Sequence, residues 1–115
     1  MTKKIKRPWQ DSKVKITVQK CVDPSIIFDN DIPICPDTGE KYTVCPVFEE
    51  GQEFIVRLND STPEGFCWAA WMDIYRDLSV LVFGDFYPFV EKGNMFTCCR
   101  DGFRPVSFKL ERLDE

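Results

Sequence analysis

One stretch constrains the fold more than any other: residues 62–84, TPEGFCWAAWMDIYRDLSVLVFG, the only segment with the pattern of a long helix. Thr62 is a suitable N-cap, Pro63 suits the first helical position, and Gly84 suits the exit. Apolar residues recur at steps of four, three, four and three, and therefore share one helical face: Cys67, Trp71, Ile74, Leu78 and Leu81. The sequence thus predicts one amphipathic helix with a buried stripe.

The flanks of that stripe separate an inner side from a solvent side. Three residues are predicted to widen the inner face: Trp68, Tyr75 and Val82. Three charged residues mark the solvent side: Asp73, Arg76 and Asp77. Such a helix needs a second apolar surface to pack on, and the rest of the chain must supply it.

Segments in which apolar and polar residues alternate are predicted to form the apolar surface on which the helix packs. Residues 13–22 alternate charged and apolar side chains with period two, so Val14, Ile16 and Val18 face one side of a strand. Further strands are predicted after a turn within residues 45–58, over residues 95–99 and over residues 104–113. The first and last strands both carry a charged face, and we expect them to be neighbours whose charges pair across the ladder.

The remaining segment, residues 23–44, is rich in Pro and Asp and has no periodicity. We expect a long loop there, with a short helical turn near residues 25–28 and a short edge strand over residues 42–44. The fold class that follows is α+β, with one amphipathic helix packed on a small, curved, mostly antiparallel sheet. Residues 1–12 are predicted to be a basic flexible arm, and residues 13–115 a single domain.

Charge and histidine content exclude several function classes. The first twenty residues hold seven basic residues and one acidic residue, yet the chain has a net charge of -4, so its body is acidic and disfavours duplex nucleic acid. No apolar run is long enough to span a membrane, and no secretory signal is evident, which favours a cytoplasmic protein with reduced thiols. The chain has no histidine, which removes the usual general base and the usual zinc nitrogen ligand.

Four of the six cysteines are candidates for a common site. They come from a turn, a helix start and a strand end, segments that could meet at one end of a small sheet: Cys45, Cys67, Cys98 and Cys99. Four thiolates could hold zinc or an iron–sulfur cluster, and two or three a soft monovalent metal ion. No C-x₂-C pair exists, however, and adjacent cysteines on a strand point to opposite faces. The competing interpretation is that these are small buried residues plus one exposed thiol.

Candidate catalytic residues lie in the same segments. Cys67 is near a helix start, where the dipole favours a thiolate, and Asp73 and Asp101 could act as acid or base. Without histidine, a cysteine nucleophile needs another partner, and Arg104 or Arg100 is close in sequence. Solvation of Asp73 and turn formation by Asp101 explain both carboxylates without chemistry.

An aromatic group could line a pocket for a planar ligand, and the candidates are Trp68, Trp71, Tyr75 and Phe86. The competing interpretation is that these rings are simply part of the core. The two interpretations differ in whether Trp68 or Tyr75 remains accessible to solvent.

Several sequence words resemble a known family. The stretches CPVFEEGQEFIV, PEGFC-W-AW-DIYRD, FG-DF and CC-DG-RPV-FKLER occur in order and cover nearly the whole chain except the basic arm and residues 23–44. They resemble a family of small, mostly bacterial and largely uncharacterised proteins. The resemblance implies one compact domain and points to Cys45, Cys67, Cys98 and Cys99, but it implies no reaction. Cys35 and its CPDTG segment depart from the family pattern.

Three functional hypotheses follow. The first is a binding or accessory domain that holds a soft metal ion or a small aromatic or thiol-reactive molecule near the cysteines. The second is a small enzyme without histidine, of the isomerase, lyase or decarboxylase type, that uses a cysteine or carboxylate with an arginine. The third is a homo-oligomer or interaction module in which a partner covers exposed aromatic residues after the helix: Phe86, Tyr87, Phe89 and Val90.

Overall fold

A computed structural model describes residues 11–84 and 88–113. Most of the predicted arm, together with Phe86 and Tyr87, lies outside the described residues. Two helices and four strands follow in this order: β1 (Lys13–Cys21), α1 (Pro24–Phe28), β2 (Glu53–Val56), α2 (Trp68–Phe83), β3 (Asn94–Cys98) and β4 (Val106–Leu113). Neither helix in this part of the chain is both long and apolar enough to cross a membrane.

The four strands form an open sheet in the order β2-β1-β4-β3, and every neighbouring pair is antiparallel. The first and last strands are neighbours, as predicted. Lys15 lies opposite Glu111 in the register, and its Nζ is 3.7 Å from a carboxylate oxygen of Glu111. Alternation of charged and apolar residues therefore gives these strands an inner apolar face and an outer face whose charges pair between β1 and β4.

Helix α2 covers one face of the sheet. Its buried side, Ala70, Trp71, Ile74, Leu78 and Leu81, packs with inward residues of β1 and β4 into one core cluster. Phe48 and Phe66 add two rings to this cluster, and both lie within 5.5 Å of the Phe108 ring centroid. The α+β fold with one main helix on an antiparallel sheet is thus confirmed.

The start of α2 differs from the prediction. The helix begins at Trp68, with Cys67 in extended geometry as its N-cap, and Thr62 is not the cap. Gly65 has a φ of 79°, a left-handed conformation that no helix residue can adopt, so the chain turns before the helix starts. The buried Phe66 ring follows that turn. At the other end the helix stops before Gly84, as predicted.

The inner face of α2 is also narrower than predicted. Trp68 is 68% exposed because it is the first residue of the helix and its position points away from the sheet. Tyr75 lies at the edge, where its hydroxyl donates a hydrogen bond to the carbonyl of Leu58. The placement of Trp68 on the buried side was therefore wrong.

The segment between β1 and β2 is irregular, as predicted, and α1 forms the expected helical turn. The short strand predicted over residues 42–44 is absent. Instead, Ile34 and Lys41 form an isolated bridge, and the Tyr42 N–H donates to the Pro33 carbonyl at 3.1 Å. This loop pairs with itself and therefore leaves no strand to extend the sheet.

Candidate functional site

A cleft of about 560 Å³ lies between the start of α2, the loop before β2 and the β3–β4 turn; we call it the thiol cleft. Its apolar lining is Phe48, Ala69, Ala70, Phe103 and Val106. Three cysteines line it, Cys45, Cys67 and Cys99, and its polar residues are Asp73, Arg100 and Asp101. The cleft therefore combines an apolar body with a few polar groups, the usual composition of a small-molecule site.

The structure brings three of the four predicted cysteines to this cleft. Cys98, one residue before Cys99, is exposed and does not line it, because neighbouring residues of a strand point to opposite faces. Among residues 11–84 and 88–113, no group of three or more cysteines and carboxylates is arranged to hold a metal ion. Metal binding by these cysteines remains a prediction.

Cys99 is held against the last strand. Its N–H donates to the Val106 carbonyl at 3.1 Å, and its Sγ accepts a hydrogen bond from the Val106 N–H at 3.3 Å. Burial raises the pKa of the Cys99 thiol, and the backbone hydrogen bonds oppose that shift only in part. Cys99 is therefore a neutral thiol at neutral pH.

Cys21 is a fourth thiol near the cleft that the sequence analysis missed. It is buried, its Sγ lies 3.6 Å from the Phe48 carbonyl, and it pairs with Val106 on the side opposite Cys99. Burial, the Glu50 carboxylate and the nearby thiols of Cys45 and Cys99 raise its pKa. The β1–β4 register shifts between Val18 and Lys20, which turns Cys21 inward against the simple alternation. No signal in the sequence marks that shift.

The two candidate carboxylates organise the β3–β4 turn. Asp101 accepts hydrogen bonds from the N–H groups of Phe103 at 3.2 Å and Arg104 at 3.1 Å, and also from the Arg104 Nε at 3.2 Å. Asp73 accepts the Arg100 N–H at 2.8 Å, which ties α2 to the turn. The turn-forming interpretation of Asp101 matches this geometry.

Arg104 is paired with the catalytic candidate Asp101, but it does not line the thiol cleft, whereas Cys67, Asp73 and Asp101 do. Its guanidinium carbon is 5.1 Å from the Tyr42 ring centroid and 5.3 Å from that of Phe103. Arg100 is instead the arginine that lines the cleft.

A second cavity of about 440 Å³ adjoins the thiol cleft, and we call it the arginine cleft. Its lining is Met72, Asp73, Arg76, Asp77 and Arg100. Asp73 and Arg100 line both cavities, so the two lie side by side at these residues. Asp77 also accepts a hydrogen bond from the Thr97 hydroxyl, which joins the helix to β3.

The aromatic candidates do not line the thiol cleft. Trp71 is buried with its ring centroid 6.0 Å from that of Phe66, and Tyr75 stacks edgewise on Trp71 at 5.8 Å. Trp68 is exposed outside the cleft, and Phe86 is not described. The rings that do line the cleft are Phe48 and Phe103, which periodicity could not reveal because both lie in irregular segments.

A different thiol environment surrounds Cys35, on the loop between β1 and β2. A cavity of about 210 Å³ there is lined by Cys35, Thr38, Tyr42 and Arg104, among others. Hydrogen bonds from the Thr38 hydroxyl, from the N–H groups of Thr38 and Asp37 and from the Tyr42 hydroxyl lower the pKa of Cys35 to about 7. The sequence analysis noted this segment as a departure from the family pattern but assigned it no chemistry.

Comparisons with known proteins do not relate this site to that of another protein. The chain matches no family model, no curated protein and no solved structure. The family resemblance seen in its sequence words therefore remains a prediction, and functional inference depends on the site alone.

Proposed function

We propose that this protein is a small binding domain that holds an aromatic or thiol-reactive molecule in the thiol cleft. The observation that carries the proposal is the cleft itself: about 560 Å³, with apolar walls, three cysteines from three separate segments and few polar groups. A cavity of that volume suits a small organic ligand. The proposal includes a cytoplasmic location, where the free thiols stay reduced.

The apolar walls determine which ligand fits best. Phe48 and Val106 are buried beneath the cleft, and the half-buried Phe103 lines it, so a planar ring could pack on this apolar wall. Three cysteines line the same cleft, so a ligand with an electrophilic group would meet a thiol there. A soft metal ion is the weaker alternative because the described residues do not present a ready ligand set.

The two other functional hypotheses have less support. Asp101 uses both carboxylate oxygens within its own turn, which leaves it poorly placed to exchange a proton with a substrate. For the interaction module, two of its four aromatic and apolar residues lie outside the described part of the chain. Phe89 is 72% exposed, but this alone does not identify a partner surface.

The proposal is tested by filling the cleft. Ala69 is exposed, lines the cleft and lies on α2, so Ala69→Leu should occupy ligand space without disturbing the core. A library of small aromatic compounds is screened by backbone amide chemical shifts, and the expected binders shift the amides of Cys45, Ala70 and Val106. Ala69→Leu should abolish these shifts, while the matched control Trp68→Leu, outside the cleft, should keep them.

The proposal fails if no compound shifts those amides, or if Ala69→Leu leaves binding unchanged. Stoichiometric metal in the purified protein that is lost when the thiols are alkylated would instead favour the soft-metal alternative.

A further inference from the structure

We infer that the ligand of the thiol cleft is an organic carboxylate, with its apolar body in the thiol cleft and its carboxylate group at Arg100 and Arg76. This inference rests on the proposed function and adds the chemical class of the ligand. It is carried by the two residues that the neighbouring cavities share, and by the absence of ion pairs at the two guanidinium groups of the arginine cleft.

The shared residues come first. Arg100 and Asp73 line both the thiol cleft and the arginine cleft, so a ligand in the thiol cleft has the Arg100 side chain at its edge. Arg76 lies one helical turn beyond Asp73 and lines the same arginine cleft. The two arginines thus form the polar end of a combined site whose other end is apolar.

The guanidinium groups of Arg76 and Arg100 are also available to bind a ligand carboxylate. In residues 11–84 and 88–113, Arg76 and Arg100 take part in none of the ion pairs, whereas Arg104 is paired with Asp101 at 3.2 Å. Only the backbone N–H of Arg100 is used, by Asp73. A planar guanidinium matches a carboxylate in a two-point hydrogen bond, which makes an organic acid the natural ligand.

The carboxylates in the arginine cleft do not remove this preference. Asp73 already accepts the Arg100 N–H, and Asp77 already accepts the Thr97 hydroxyl, so each is turned toward a partner of its own. A ligand carboxylate at this end of the site therefore meets the two guanidinium groups.

The test compares two probes with the same ring system, 2-naphthoate and the neutral 2-naphthamide, by isothermal titration calorimetry on the full chain. We expect naphthoate to bind at least about tenfold more tightly, because its charged oxygens gain hydrogen bonds from the arginines. Arg100→Gln should bring the two affinities together, and Arg76→Gln should reduce the difference by a smaller factor. Asp77→Asn should strengthen naphthoate binding about twofold by removing a repelling charge.

Arg57→Gln is the matched control, because Arg57 lines neither cleft and should leave both affinities unchanged. Equal binding of the two probes, weakened together by Ala69→Leu, would overturn the carboxylate inference and leave the proposed function standing. Binding of neither probe up to about 1 mM would count against the thiol cleft itself, and the inference would fall with it.

Discussion

Two thiols in this chain show how differently one side chain behaves in two surroundings. Cys35 lies in a loop and accepts hydrogen bonds from two hydroxyls and two backbone N–H groups, so its pKa falls to about 7. Cys99 lies against the core, where burial raises its pKa in spite of the Val106 N–H bond. Hydrogen-bond donors therefore lower the pKa of Cys35, and loss of solvent raises the pKa of Cys99. The distance in sequence from either thiol to a charged residue determines neither shift.

The largest expected effect is the pH profile of Cys35 alkylation. With a pKa of about 7, the thiolate fraction rises from about 1% at pH 5 to about half at pH 7, so the iodoacetamide rate should rise about fiftyfold. The rate is followed by mass spectrometry of the Cys35 peptide. A rate that only begins to rise above pH 8 would contradict the donor-rich surroundings of this thiol.

The second largest expected effect is the difference in alkylation rate between Cys35 and Cys99 at one pH. At pH 7, Cys35 should be alkylated at least about tenfold faster than Cys99, because Cys99 is neutral and partly buried. Peptide mapping of the same samples gives both rates, and the exposed Cys98 serves as an internal control for simple access. Equal alkylation rates for Cys35 and Cys99 would contradict the predicted difference between the two thiols in pKa and burial.

A third prediction concerns the donor that contributes most to the Cys35 shift. Thr38→Val removes a hydroxyl donor, so the pKa of Cys35 should rise and alkylation at pH 7 should slow about fivefold. Thr43→Val is the matched control, since Thr43 lines the same cavity and is not among the donors to the thiol. An equal effect of both substitutions would show that cavity shape, and not hydrogen bonding, controls the thiol.

The smallest effect concerns stability. Cys99→Ala removes a sulfur packed against the core and should lower the free energy of unfolding by about 1 kcal/mol, whereas Cys35→Ala should change it by less than about 0.5 kcal/mol. Urea unfolding at pH 6 measures both, because both thiols are then largely neutral. A larger loss from Cys35→Ala would mean that its loop is part of the cooperative fold.

The pH dependence of stability should also have opposite signs for the two thiols. The lowered pKa of Cys35 stabilises the folded state above the ordinary thiol pKa, and this contribution is lost as pH falls through about 7. The raised pKa of Cys99 favours the folded state below the ordinary thiol pKa, and the advantage is lost as pH rises through the raised value. Urea midpoints between pH 6 and 10 for the two alanine variants separate these contributions.

Local patterns predicted the fold because each strand and α2 bury one regular face. Val14, Ile16 and Val18 are inward as alternation requires, and Ile74 and Leu78 lie on the buried stripe of α2. Convergence of three cysteines at one cleft also followed from the ends of the elements that carry them. Alternation likewise placed Cys98 and Cys99 on opposite sides, which matches their different exposure.

The features that the sequence analysis missed or misplaced depend on single backbone conformations or on contacts that periodicity does not show. The left-handed Gly65 delays the start of α2, although Thr62 and Pro63 form a good helix-start pattern. The lowered pKa of Cys35 depends first on Thr38 and then on Asp37 and Tyr42, and periodicity carries no information about these contacts. Arg104, predicted from closeness in sequence, pairs with Asp101 and also lies over the Tyr42 ring, a contact that closeness in sequence does not indicate.

The register shift in β1 determines which side chain faces inward near the end of that strand. Without the extra residue between Val18 and Lys20, strict antiparallel pairing would place position 20 opposite Val106, where Cys21 now lies. If Gln19 were deleted, Cys21 would become residue 20 and would still face inward opposite Val106. If the strand lost its bulge with the sequence unchanged, Lys20 would take that inward position and its ammonium group would be buried. A single extra residue therefore decides whether a sulfur or a cation faces inward opposite Val106.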